Sequence, residues 1–190
     1  MKFRPGDTVT PSPYFADMFR FFFKRFYSEE KLFQWFLKEA GESSAAFEFP
    51  SILKNHPRTL TFLPKDLEHA NKFMKAMPDA WFQNMLFCTH ESQHSLISSR
   101  RSHAVYYSDK ECRFGEPVFK EIQNKILQFS PQVCLYLDEP FLPRLYLAKT
   151  SNAPCRIGFA NENLYPFLNL SLHRDNKSEA ETISEYYGVG

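Results

Sequence analysis

Residues 132–159 read QVCLYLDEPFLPRLYLAKTSNAPCRIGF, and this stretch decides the fold. The apolar run QVCLYL at 132–137 has strand length and ends on Asp138-Glu139-Pro140, a turn-forming trio. Residues 140–150 then have the length of a helix, and CRIGF at 155–159 is a second short apolar run. A strand, a helix and a strand in that order call for a parallel pairing, because a helix-length connection returns the chain to the same end of the sheet.

Working outward, the same alternation recurs on both sides. Upstream lie apolar runs at 58–63 (RTLTFL), 84–89 (NMLFCT) and 103–107 (HAVYY), with a short sixth candidate at 169–172. Helix-length segments at 66–77, 91–100 and 116–129 separate them, and Pro117 suits the first turn of the third. Right-handed crossovers then predict an α/β fold with a doubly wound, mainly parallel sheet.

Before residue 47 the composition changes. The chain has 21 Phe, and 11 of them precede residue 50. In YFADMFRFFFKRFY, residues Met18, Phe19, Phe22, Phe23 and Phe26 share one helical face opposite Asp17, Arg20 and Lys24, with Arg25 interrupting it. A second helix starts at Ser28, with Glu29 and Glu30 in its first turn, and stops at Gly41. Residues 1–46 therefore read as a Phe-rich helical hairpin and linker, and 47–190 as the sheet domain. The hairpin's apolar face suits packing against protein, including a homodimer; a membrane-surface role would call for more basic charge than three cations and one anion.

The wording of the sheet domain resembles the N-terminal half of the ADP-heptose lipopolysaccharide heptosyltransferase family, glycosyltransferase family 9-like. RTLTFLPKDLEHANKFMKAMPDAWFQNMLFCT looks like that family's opening strand, Asp-bearing loop, helix, proline-marked turn and second strand. SPQVCLYLDEPFLPRLYLAKTSNAPCRIGF is similar to its later stretch, where a strand ends in an acidic residue and an Arg-Ile-Gly-Phe strand follows. The resemblance covers residues 58–190 and implies a Rossmann-like sheet, one half of a GT-B enzyme, with the donor-binding half absent. It implies a glycosyltransferase-like domain without autonomous catalysis, binding a saccharide acceptor or a protein partner; the alternative is half of a two-chain glycosyltransferase.

Ligands of open α/β sheets gather beyond the carboxyl ends of the strands. The loops there carry Lys65, Asp66, His90, Asp138 and Glu139. By resemblance Asp66 is the general base that takes a sugar hydroxyl proton; as an Asp before a helix it also reads as an N-cap. Asp138 and Glu139 read either as groups orienting a polyol or as a solvated turn before Pro140. Lys65 stands where the resembling family keeps a glycine, which removes the close backbone approach that glycine allows. No GxGxxG or phosphate-binding loop occurs, so no nucleotide cofactor is expected.

His90-Glu91-Ser92-Gln93-His94 is a literal HExxH, the spacing by which a helix presents two imidazoles to zinc. It would make a zinc hydrolase if both histidines lay on one helix. Because His90 follows the strand run directly, it is expected in a loop, with only His94 helical and no metal bound. With 23 Lys and Arg against 22 Asp and Glu, the net charge selects neither nucleic acid nor an anionic membrane. No signal peptide or 18-residue apolar stretch is visible, and Cys88, Cys112, Cys134 and Cys155 lack CxxC spacing. The expected location is the cytoplasm, with peripheral attachment to the inner membrane as the variant in which the hairpin lies on lipid.

Overall fold

The computed structural model describes residues 46–186 apart from 55, 101, 109–116, 160–163, 165 and 166, together with Lys31, Gln34 and Lys38, which are helical. The Phe-rich hairpin expected over 1–46 otherwise lies outside the described residues. Six strands form one sheet: β1 Thr59–Phe62, β2 Met85–His90, β3 His103–Tyr107, β4 Val133–Tyr136, β5 Cys155–Phe159 and β6 Leu170–Leu172. Their spatial order is β3-β2-β1-β4-β5-β6, and every neighbouring pair is parallel. This is the doubly wound, Rossmann-like arrangement expected from the alternation of apolar runs and helix-length connections.

The strands read as unbroken apolar runs because the sheet is covered on both faces. All four residues of β1 and of β4 are buried, whereas the edge strand β3 is exposed at His103. The helices are α1 Leu67–Ala76, α2 Asp79–Phe82, α3 His94–Ser98, α4 Pro117–Phe129, α5 Leu142–Thr150 and α6 Glu179–Tyr186. On one face Leu60, Phe62, Cys88, Tyr107 and Tyr136 pack with Phe119, Ile122 and Ile126 of α4 and Leu145 of α5. On the other, Phe87, Val133, Leu135 and Ile157 pack with Phe73 and Met74 of α1, Phe82 of α2, Ile97 of α3 and Ile183 of α6. Truncating Phe87, fully buried between β1 and β3, would cost about 3–5 kcal/mol in lost transfer energy and cavity.

Arg156 is the exception in this apolar interior. Its side chain is 2% exposed, and it is tolerated because Nε donates to the Phe167 carbonyl at 2.7 Å and Nη1 to that of Ala153 at 2.8 Å. On the next residue but one, a Cβ at Gly158 would lie 2.4 Å from Leu168 Cδ1, so the strand runs close under the segment leading to β6. No helix among the described residues is long and apolar enough to cross a membrane.

Candidate functional site

The strand order reverses between β1 and β4, and the helices that follow those strands lie on opposite faces, so their carboxyl ends mark the position where open α/β sheets hold a crevice. Thr61↔Leu135 and Phe62↔Tyr136 are in register, and Leu137 N donates to Phe62 O at 3.0 Å, so both strands end level. The chain therefore delivers Lys65 and Asp138 side by side. Asp138 Oδ1 accepts from Lys65 N at 3.3 Å and from Glu139 N at 2.8 Å, while Oδ2 pairs with the Arg144 guanidinium.

Arg144 comes from the first turn of α5, whose chain entry is held by Phe141 N donating to Tyr136 Oη at 3.2 Å. Arg144 also donates to Tyr107 Oη at the end of β3 and lies over the rings of Tyr107 and Phe141, 5.2 and 5.0 Å from their centroids. The side chains of Asp138 and Arg144 are only 4% and 10% exposed. Among the described residues Arg144 Nε has no hydrogen-bond partner. Asp138, Arg144 and Tyr107 thus make a buried brace joining the ends of β1, β3 and β4.

Burial sets the proton affinities here. It pushes the Tyr107 and Tyr136 phenols up, against the opposing charge of Arg144, so both keep their protons at neutral pH. It also raises the Asp138 carboxyl, an effect that Arg144 and the amides of Glu139 and Lys65 only partly reverse. For Arg144 burial pulls downward, but Tyr107, Tyr136 and Asp138 prevail and hold the guanidinium above its usual value. The two side chains face each other, so their charges are offset within the brace.

Above the brace sits an exposed rim of Lys65, Asp66, Glu139 and Phe141. Asp66 is the N-cap of α1, with Oδ1 accepting from His69 N at 2.7 Å. The β1–α1 loop is pinned from below by Gln93, fully buried, whose Nε2 donates to Pro64 O at 2.6 Å and Lys65 O at 3.2 Å and whose Oε1 accepts from Thr89 Oγ1. Of the residues singled out from sequence, Lys65, Asp138 and Glu139 meet directly. His90 meets Tyr107 of the brace, its ring edge-on at 5.8 Å. Asp138 is no solvated turn residue, and Asp66 is committed by one oxygen to capping.

The expectation that His90 lies in a loop is corrected: it is the last residue of β2, paired in register with Tyr107. Its Nδ1 accepts from Ser92 N at 3.2 Å, which starts a 3-10 turn over Glu91–Gln93 before α3 begins at His94. The helix expected at 91–100 is broken accordingly. His94 lies 5.0 Å from the ring of Tyr106, and Tyr106 and Tyr107 point to opposite sheet faces. The two imidazoles of the HExxH sequence therefore diverge, and among the described residues no three His, Cys, Asp or Glu side chains are grouped to hold a metal.

Sequence reasoning missed Arg144, Tyr107, Gln93 and Phe141. Their only local signal is an Arg, a Gln or an aromatic within an apolar run, which reads as ordinary surface or core. Comparison with protein-family models, with curated proteins and with solved structures finds no match for this chain.

Proposed function

We propose that the chain is a glycosyltransferase-like domain of the heptosyltransferase N-terminal type that binds a saccharide without transferring it. The observation carrying this reading is the braced crevice at the strand-order reversal, whose floor charges neutralise one another and whose rim offers hydroxyl-binding groups rather than a phosphate cradle. A diphosphate needs convergent backbone amides or uncompensated cations. Here Arg144 answers Asp138, and the exposed rim carries the carboxylates of Asp66 and Glu139 beside the loop of Lys65. Asp66 supports the non-catalytic side of the reading, because a carboxylate fixed as an N-cap is held against the helix amides rather than left to accept a substrate proton.

In this reading the Phe-rich segment before residue 47 faces protein, either a second copy or another partner, and Cys88, Cys134 and Cys155, none of them in a disulfide, suit a reducing cytoplasm. Calorimetric titration with ADP and ADP-sugars is the test. The expected outcome is no low-micromolar binding and no sugar transfer. Low-micromolar binding abolished by Asp66→Asn, which keeps the cap, would reveal a working carboxylate and overturn the proposal.

A further inference from the structure

Among the described residues three large apolar side chains are exposed: Leu67 (53%), Leu127 (36%) and Phe141 (41%). Two of these flank the crevice. Leu67 opens α1 directly after the N-cap Asp66, and Phe141 follows Glu139-Pro140 in the β4–α5 loop; the Lys65–Asp138 hydrogen bond ties the two loops together. Phe141 is also held unusually firmly for an exposed ring. Its amide is bonded to Tyr136 Oη, and the Arg144 guanidinium, itself fixed by Asp138 and Tyr107, lies against it. An exposed aromatic ring kept in one place beside carboxylates fits a ligand with an apolar face and a hydroxyl edge.

We infer that Phe141 is the stacking residue of the crevice and that its ligand is an uncharged pyranose, held by its C–H face on the ring and by its hydroxyls on Asp66 and Glu139. This rests on the saccharide-binding reading above and narrows it to a substrate class. A nucleotide's base could use the same ring, but its phosphates would meet the exposed rim carboxylates of Asp66 and Glu139.

The test uses the full chain, methyl α-D-mannopyranoside and methyl α-D-glucopyranoside as probes, and ADP as the charged comparison, followed by NMR titration. Wild type should bind a pyranoside, Phe141→Ala should bind it about ten-fold more weakly, as loss of roughly one aromatic contact implies, and Phe141→Trp should retain it. Thermal melts of both variants should remain cooperative, since the bond to Tyr136 Oη is made by the Phe141 backbone amide and survives either change. Unchanged binding by Phe141→Ala would overturn the stacking inference while leaving the saccharide reading standing. No pyranoside binding by wild type would overturn both, and ADP binding tighter than either pyranoside would overturn the assignment of an uncharged ligand.

Discussion

Asp138 shows how one residue can be found from sequence and still be misread. An acid at the end of an apolar run marks a strand end, so its place was legible. Its role was not, because Arg144 looks like a surface cation of a helix and Tyr107 lies 37 residues before it in the chain. The pair is a brace rather than a source of net stability, since burial raises the Asp138 carboxyl further than Arg144 lowers it. Removing one partner is a different matter, because it strands the other charge. Asp138→Asn should therefore destabilise the fold by about 3 kcal/mol, the lower end for a broken buried pair, because Asn can still accept from the two amides. The double change Asp138→Leu, Arg144→Met should be less harmful than Asp138→Asn alone. Urea unfolding of the three proteins decides it, and an unshifted midpoint for Asp138→Asn would dismiss the brace.

Among the elements, β3 and β5 span the expected residues, β1, β2 and β4 differ by one residue at each end, and β6 starts one residue later. Agreement was poorer for short helices. Asp79–Phe82 was read as part of a turn, and the segment after β2 breaks into a 3-10 turn and α3 because His90 Nδ1 takes the Ser92 amide. The closing helix α6 begins with a capping box, Ser178 Oγ accepting from Glu181 N at 3.2 Å and Glu181 Oε2 from Ser178 N at 2.8 Å. It is latched to the candidate site's own helix by Glu179, which meets His69 Nε2 of α1 at 3.1 Å and Arg174 Nη1 at 2.8 Å. Burial pushes the Glu179 carboxyl up, but the His69 hydrogen bond, its backbone partner and the charges of His69 and Arg174 outweigh it, leaving the group below its ordinary value. The unfolded chain then takes the proton first. The latch contributes fully above the usual glutamate value, about pH 4.3, and is lost as pH falls through the lowered one. Thermal melts from about pH 3 to pH 7 should show Glu179→Gln less stable at neutral pH and flatter toward acid; parallel curves for the two proteins would remove Glu179 from the acid response.

For the molecule as a whole, two apolar layers enclose every described cysteine. Cys88, Cys134 and Cys155 are fully buried, and burial pushes the Cys134 thiol up and that of Cys155 to about 12. In a Cys112→Ser variant the three remaining thiols should react with an aromatic disulfide only as fast as the whole domain unfolds. One equivalent reacting promptly would mean that a face of the sheet opens by itself. The sequence alone determined that this is a layered α/β domain with chemistry-bearing loops after its strands, because burial on both faces writes unbroken apolar runs into the strands and helix length into their connections. Tertiary structure alone decided which strands are neighbours, where the order reverses, that the HExxH histidines part across the sheet, and that Arg144, Tyr107 and Gln93 complete the crevice. Those outcomes depend on contacts between residues far apart in the chain, and such contacts leave no periodic trace in the local pattern.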